Sequence, residues 1–138
     1  MRHNALAAMF VASLFPLAAG AAPVPAPCGL LDRDTLAALN LAQADTKVDH
    51  RAGADMCTLT PQGGTAPSLS IMVIALAPGR RPPNPVCNAR TEGRIGMASC
   101  SAVVKGKVVS VSLVSPAATF ATLHAAMRSG FDRMVAAP

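Results

Sequence analysis

Leu69-Ser70-Ile71-Met72-Val73-Ile74-Ala75-Leu76-Ala77 is the stretch on which the fold turns. In an extended chain Leu69, Ile71 and Val73 fall on one side, and Met72, Ile74 and Leu76 on the other. The β-branched content favours a strand over a buried helix segment. Two apolar sides predict a central position in a sheet, because an edge or half-solvated strand would alternate apolar with polar.

The flanking segments read as its neighbours. Upstream, Met56-Cys57-Thr58-Leu59-Thr60 alternates with period two and sends Cys57 and Leu59 to one face, and Pro61 to Pro67 with Gly63-Gly64 predicts a turn. Downstream, Ser101 to Val104, Lys105-Gly106, and Lys107 to Val114 read as a β-hairpin whose inward residues are Val109, Val111 and Leu113, with Ser110 and Ser112 between them.

Helices are expected at both ends of this sheet. Asp32 can cap a short helix carrying Leu36 and Leu39 on its buried side. Ser115-Pro116 reads as a helix start, serine as N-cap and proline in the first turn. Phe120, Leu123, Met127, Phe131 and Met134 then recur every three or four residues, a single apolar stripe. The polar run from Gln43 to Ala54 reads as a loop. The expected class is α+β, an antiparallel β-sheet packed by N- and C-terminal helices.

The first residues carry a different signal. Met1-Arg2-His3-Asn4 is a short positive start, Ala5 to about Ala19 is apolar, and Ala19-Gly20-Ala21 is a small-x-small site, so residues 1–21 read as a cleaved secretory signal peptide. Residues 5–22 lie at the lower edge of spanning length and carry Pro16 and Gly20, which argues against a stable membrane anchor. Pro25-Ala26-Pro27 before Cys28 does not suit lipid attachment. Residues 22–27 form a proline-rich spacer, and 28–138 a single domain of ordinary size. The expected location is periplasmic or secreted.

All four cysteines, Cys28, Cys57, Cys87 and Cys100, follow the leader, and an even count in an exported chain predicts disulfides. Of the three pairings, the sequential one, Cys28 with Cys57 and Cys87 with Cys100, closes the loops locally and is favoured. The separations contain no C-x-x-C and no paired histidines, so neither a metal site nor a thioredoxin-like redox pair is expected.

Chemistry is sparse. His50 stands beside Asp49 in a polar segment and reads as solvated, and His124 sits at the edge of the apolar stripe as a boundary residue. There is no G-x-S-x-G, no S-x-x-K and no phosphate-binding glycine fingerprint, and Glu92 is the only glutamate. No enzyme and no cofactor is expected. A formal charge of +5, with no Trp or Tyr to stack on bases, gives no support to nucleic-acid binding. Pro78 to Arg94 reads as a proline-stiffened loop tied down by Cys87, whose Arg80, Arg81, Arg90 and Arg94 could meet a carboxylate or phosphate surface. The expected function is a non-enzymatic periplasmic or secreted binding protein for a protein or acidic-surface partner. The alternative is an inhibitor or immunity protein against a secreted cell-wall hydrolase.

Several short motifs carry a resemblance. Cys28-Gly29-Leu30-Leu31 opens a short helix, Met56-Cys57-Thr58-Leu59 sets a cysteine in a strand, Gly96-Met97-Ala98-Ser99 reads as a turn, the Lys105-Gly106 hairpin precedes Val-Val-Ser-Val-Ser-Leu, and the last helix ends Phe131-Asp132-Arg133-Met134. Together they resemble a family of exported bacterial proteins, best represented among actinobacterial lipoproteins, with a C-x-L-L … C-x-W pattern. The resemblance implies a PsbP-like α/β/α sandwich over residues 28 to 135 and a disulfide between Cys28 and Cys57. Leu59 stands at the family's tryptophan, the lipid-attachment sequence is missing, and Cys87 and Cys100 are an additional pair. The resemblance implies no activity.

Overall fold

The computed structural model describes residues 26–80 and 84–138. The expected signal peptide, most of the expected spacer and Arg81 lie outside the described residues. The elements run α1 (Arg33–Ala38), β1 (Ala44–Arg51), β2 (Ala54–Pro61), β3 (Ser68–Ala75), β4 (Val86–Glu92), β5 (Ile95–Val104), β6 (Lys107–Pro116) and α2 (Ala117–Ala136).

The strands form one six-stranded antiparallel sheet in the order β1-β2-β3-β6-β5-β4. Two three-stranded meanders meet at β3 and β6, and β3 is interior, as its two apolar sides require. The β5–β6 hairpin turns at Lys105 and Gly106, both at positive φ, the backbone that a two-residue type I′ turn needs.

Two loop expectations are corrected. Residues 44–51 are strand β1 and residues 86–92 are strand β4, the two edges of the sheet. An edge strand has one partner and little to bury: β1 turns only Val48 of its large apolar residues inward, and β4 turns in Cys87, Ala89 and Thr91. Charged residues on such strands block further edge pairing, and they also mask the alternation. Gly96 is likewise no turn. It lies in β5, where a Cβ would overlap the ring of Phe120.

One face of the sheet is the core. Cys57, Leu59, Leu69, Ile71, Val109, Val111, Leu113, Ala98, Cys100 and Ala102 are buried there, beneath Phe120, Leu123, Met127, Phe131 and Met134 of α2. Small residues on β5 let α2 come close to the sheet, and α1 then packs on α2. Gly130 makes that second approach, since a Cβ there would overlap Thr35. Asp32 caps α1, accepting from the Thr35 amide at 2.7 Å and its hydroxyl at 2.6 Å. Arg133 of α2 donates to Asp32 Oδ2 at 3.0 Å and to Thr35 Oγ1 at 2.8 Å, joining the helices.

The start of α2 differs from the serine cap expected. Ser115 is buried and still pairs with Gly96, so the strand runs through it and Pro116 is the capping position, with no side-chain bond. The first helical amide is satisfied instead by a turn, Ala117 N–H donating to the Arg94 carbonyl at 2.8 Å.

Both disulfides form in the sequential pairing. Cys28–Cys57 ties the segment before α1 to the core face of β2, and Cys87–Cys100 joins directly opposed residues of β4 and β5. They fit an oxidising, extracytoplasmic environment. α2 covers the core face of the sheet and α1 packs on α2 from that side.

Candidate interaction surface

The second face of the sheet is open, and its composition follows from the register. The outward residues of the four central strands are Ala54, Met56, Thr58 and Thr60 on β2; Ser68, Ser70, Met72 and Ile74 on β3; Val108, Ser110, Ser112 and Val114 on β6; and Ile95, Met97, Ser99, Ser101 and Val103 on β5. None is charged. A solvated face of an antiparallel sheet ordinarily presents polar and charged side chains. Here Val86, Ile95 and Val114 are exposed by 49%, 49% and 41%, and all three stand on this face.

Charge is confined to the margins. Asp45, Lys47, Asp49 and Arg51 project from β1, and Arg90 and Glu92 from β4. The pairs Lys47–Asp49 at 3.7 Å and Arg90–Glu92 at 3.6 Å are long and exposed, so they add little to stability.

Across the centre runs a row of small polar side chains, Thr58, Ser70, Ser112, Ser99 and Asn88, each opposite the next, with Lys47 at its β1 end. The serines pair laterally: Ser101 and Ser110 share a hydrogen bond at 2.7 Å, and Ser112 donates to Ser99 at 3.4 Å. Hydroxyls already bonded to each other lose less when water is withdrawn than unpaired ones do. Beside this row a shallow depression of about 390 Å³ is lined by Asn88, Arg90, Met97, Ser99, Ser112 and Val114.

The expected arginine group is dispersed by β4. Arg90 is mid-strand on the open face, Arg94 is in the β4–β5 turn, and Arg80 follows β3 at the end of the sheet where Ala75 pairs with Lys107. Arg80 and Arg94 thus sit at opposite ends of strands that, at about 3.3 Å per residue, are roughly 30 Å long.

The histidines are placed differently from each other. His50 Nδ1 donates to Asp55 Oδ1 at 2.7 Å, across the β1–β2 pair, and both side chains are exposed. His50 therefore takes Asp55 as its partner, while the neighbouring Asp49 faces Lys47. His124 stacks on Phe120 with ring centroids 5.4 Å apart, and its buried Nε2 meets no hydrogen-bond partner among the described residues. Among the described residues no group of three His, Cys, Asp or Glu side chains could hold a metal ion. No described helix is long and apolar enough to cross a membrane.

Comparisons with family models, with curated proteins and with solved structures find no match for this chain. The surface therefore has to be read from its own chemistry. Sequence reasoning missed it: Met56, Met97, Ser99, Ser112 and Val114 were assigned no role, although the absence of charge at every outward position of the predicted hairpin was the signal.

Proposed function

We propose that the chain is a non-enzymatic interaction module of the periplasm or of the secreted fraction, which binds a protein across the open face of its sheet. The observation that carries this reading is the uncharged centre of that face, bordered by charged edge strands. Interface cores are depleted of charge and enriched in Met and Arg, and this face presents Met56, Met72 and Met97 among uncharged serines and threonines. Arg90 stands in the rim, and Arg80 and Arg94 supply cations beyond it for acidic groups on the partner. The PsbP-like resemblance belongs to the same reading, an exported α+β scaffold that binds.

A photo-reactive side chain placed at Ser112, with Arg128 on the exposed side of α2 as the comparison site, tests this in cells that export the protein. Adducts with protein are expected from position 112 and few or none from 128. An adduct with a cell-wall hydrolase would identify the inhibitor form of the same module. No adduct from 112, or equal yields from both sites, would contradict the proposal.

A further inference from the structure

We infer that the open face closes on a second copy of this chain, sheet against sheet, about a two-fold axis running close to the strand direction between β3 and β6. This rests on the reading of the face as an interface and names its occupant.

The evidence is self-complementarity. An isologous contact requires each surface patch to fit its own symmetry mate. This axis lays β3 on β6, β2 on β5 and β1 on β4 of the second copy, row upon row. One row reads Asp49, Met56, Met72, Ser110, Ser101, Val86 across the sheet, large on the β2–β3 side and small on the β6–β5 side. Reversed on itself, it sets Met72 over Ser110 and Met56 over Ser101 of the second copy. Beyond the serine row, which sets Ser70 on Ser112 and Thr58 on Ser99, the next sets Ser68 against Val114 and Thr60 against Met97, again small against large, and at the other end Ala54 meets Val103 while Ile74 meets Val108. A two-fold running across the strands would stack Val114 on Val108 and Met97 on Val103 and leave Ser112 over Ser110 and Ser99 over Ser101, with small against large only where Ser68 meets Ile74, Ser70 meets Met72 and Thr58 meets Met56. Large on large with small on small packs poorly, since interfaces reach the density of protein interiors.

Charge agrees with shape at one end of the face, though at the other the same reversal sets Asp49 over Val86. At the level where Arg90 ends its row on β4, Asp45 ends the same row on β1, so reversal brings each Arg90 towards Asp45 of the other copy. Packed sheets lie within about 30° of one another, an offset at the edges that a long arginine side chain spans. The extent is adequate as well. Six strands at about 4.8 Å spacing and about eight residues of length give a footprint of roughly 600 Å² before surface relief. Relief raises this towards the ~800 Å² per partner of stable interfaces. The charged edge strands, meanwhile, discourage growth edge to edge, so association by the face stops at two.

Sedimentation velocity on the full chain, recovered oxidised from an exporting host, provides the test over nanomolar to about millimolar protein. A dimer is expected. Ser112→Arg, which sets a cation at the centre of the face, should yield a monomer with both disulfides intact and an unchanged circular dichroism spectrum. Should that variant fail to fold, the rim variants decide: Arg90→Asp and Asp45→Arg should each raise the dissociation constant about tenfold or more, and the double variant should recover most of that loss. A monomer throughout, a dimer indifferent to Ser112→Arg, or absence of rescue in the double variant would overturn the inference. A monomer that still forms Ser112 adducts with another protein would remove the second copy as occupant and keep the face as an interface, whereas loss of both would remove the face itself.

Discussion

Asp32 shows how much one residue is asked to do. It caps α1, bonds the Thr35 hydroxyl and receives Arg133 from a segment 101 residues away. The Arg133 guanidinium and the Thr35 hydroxyl and amide hold its carboxyl far below the usual carboxylate range. A carboxyl whose pKa is depressed by folding is protonated more readily in the unfolded chain. Its stabilisation is therefore complete above the unfolded value, near pH 4, and is lost as pH falls towards the folded value. Asp32→Asn should lower the melting temperature at neutral pH, with a gap that narrows in acid below about pH 4. Melts recorded across pH check this, and a gap that stayed constant or widened in acid would contradict it. The capping role was legible in the sequence, because Asp32 and Thr35 have the spacing of a cap and its recipient. Arg133 was not, since only the packing of α2 brings it there, with Gly130 allowing the approach.

Elements separate into those that announce themselves and those that do not. β3, the β5–β6 hairpin and α2 bury continuous stripes, and their periodicity made them readable. β1 and β4 bury little, and β4 is further disguised by the prolines and arginines that precede and occupy it. What holds β4 is its one ladder to β5 and the Cys87–Cys100 bond across that ladder. The chain-entropy model assigns a loop of this length about 3 kcal/mol. Replacing both residues by serine should cost about 2–3 kcal/mol in urea unfolding. Amide exchange should accelerate in β4 well before it does in β3. An unchanged midpoint, or exchange that rises uniformly across the sheet, would show that the bond does not anchor this edge.

As a whole, the molecule is a sheet covered on one side. The core side was largely legible, down to the inward residues of the hairpin. The open side was not, because the missing charge there becomes meaningful only when the strand order sets Thr58, Ser70, Ser112 and Ser99 in one row. The arginines illustrate the converse. They were grouped because they are close in sequence, and the topology sends Arg80 and Arg94 to opposite ends.

Oxidative footprinting of the methionines bears most directly on the open face as a contact surface. Met56, Met72 and Met97 stand on that face, whereas Met127 and Met134 are buried beneath α2. Comparing peroxide oxidation in the exporting cell with that in highly diluted pure protein, the account predicts that the first three are protected in the cell and oxidise on dilution, while Met127 and Met134 stay protected in both. Equal oxidation of Met56, Met72 and Met97 in the two conditions would contradict it.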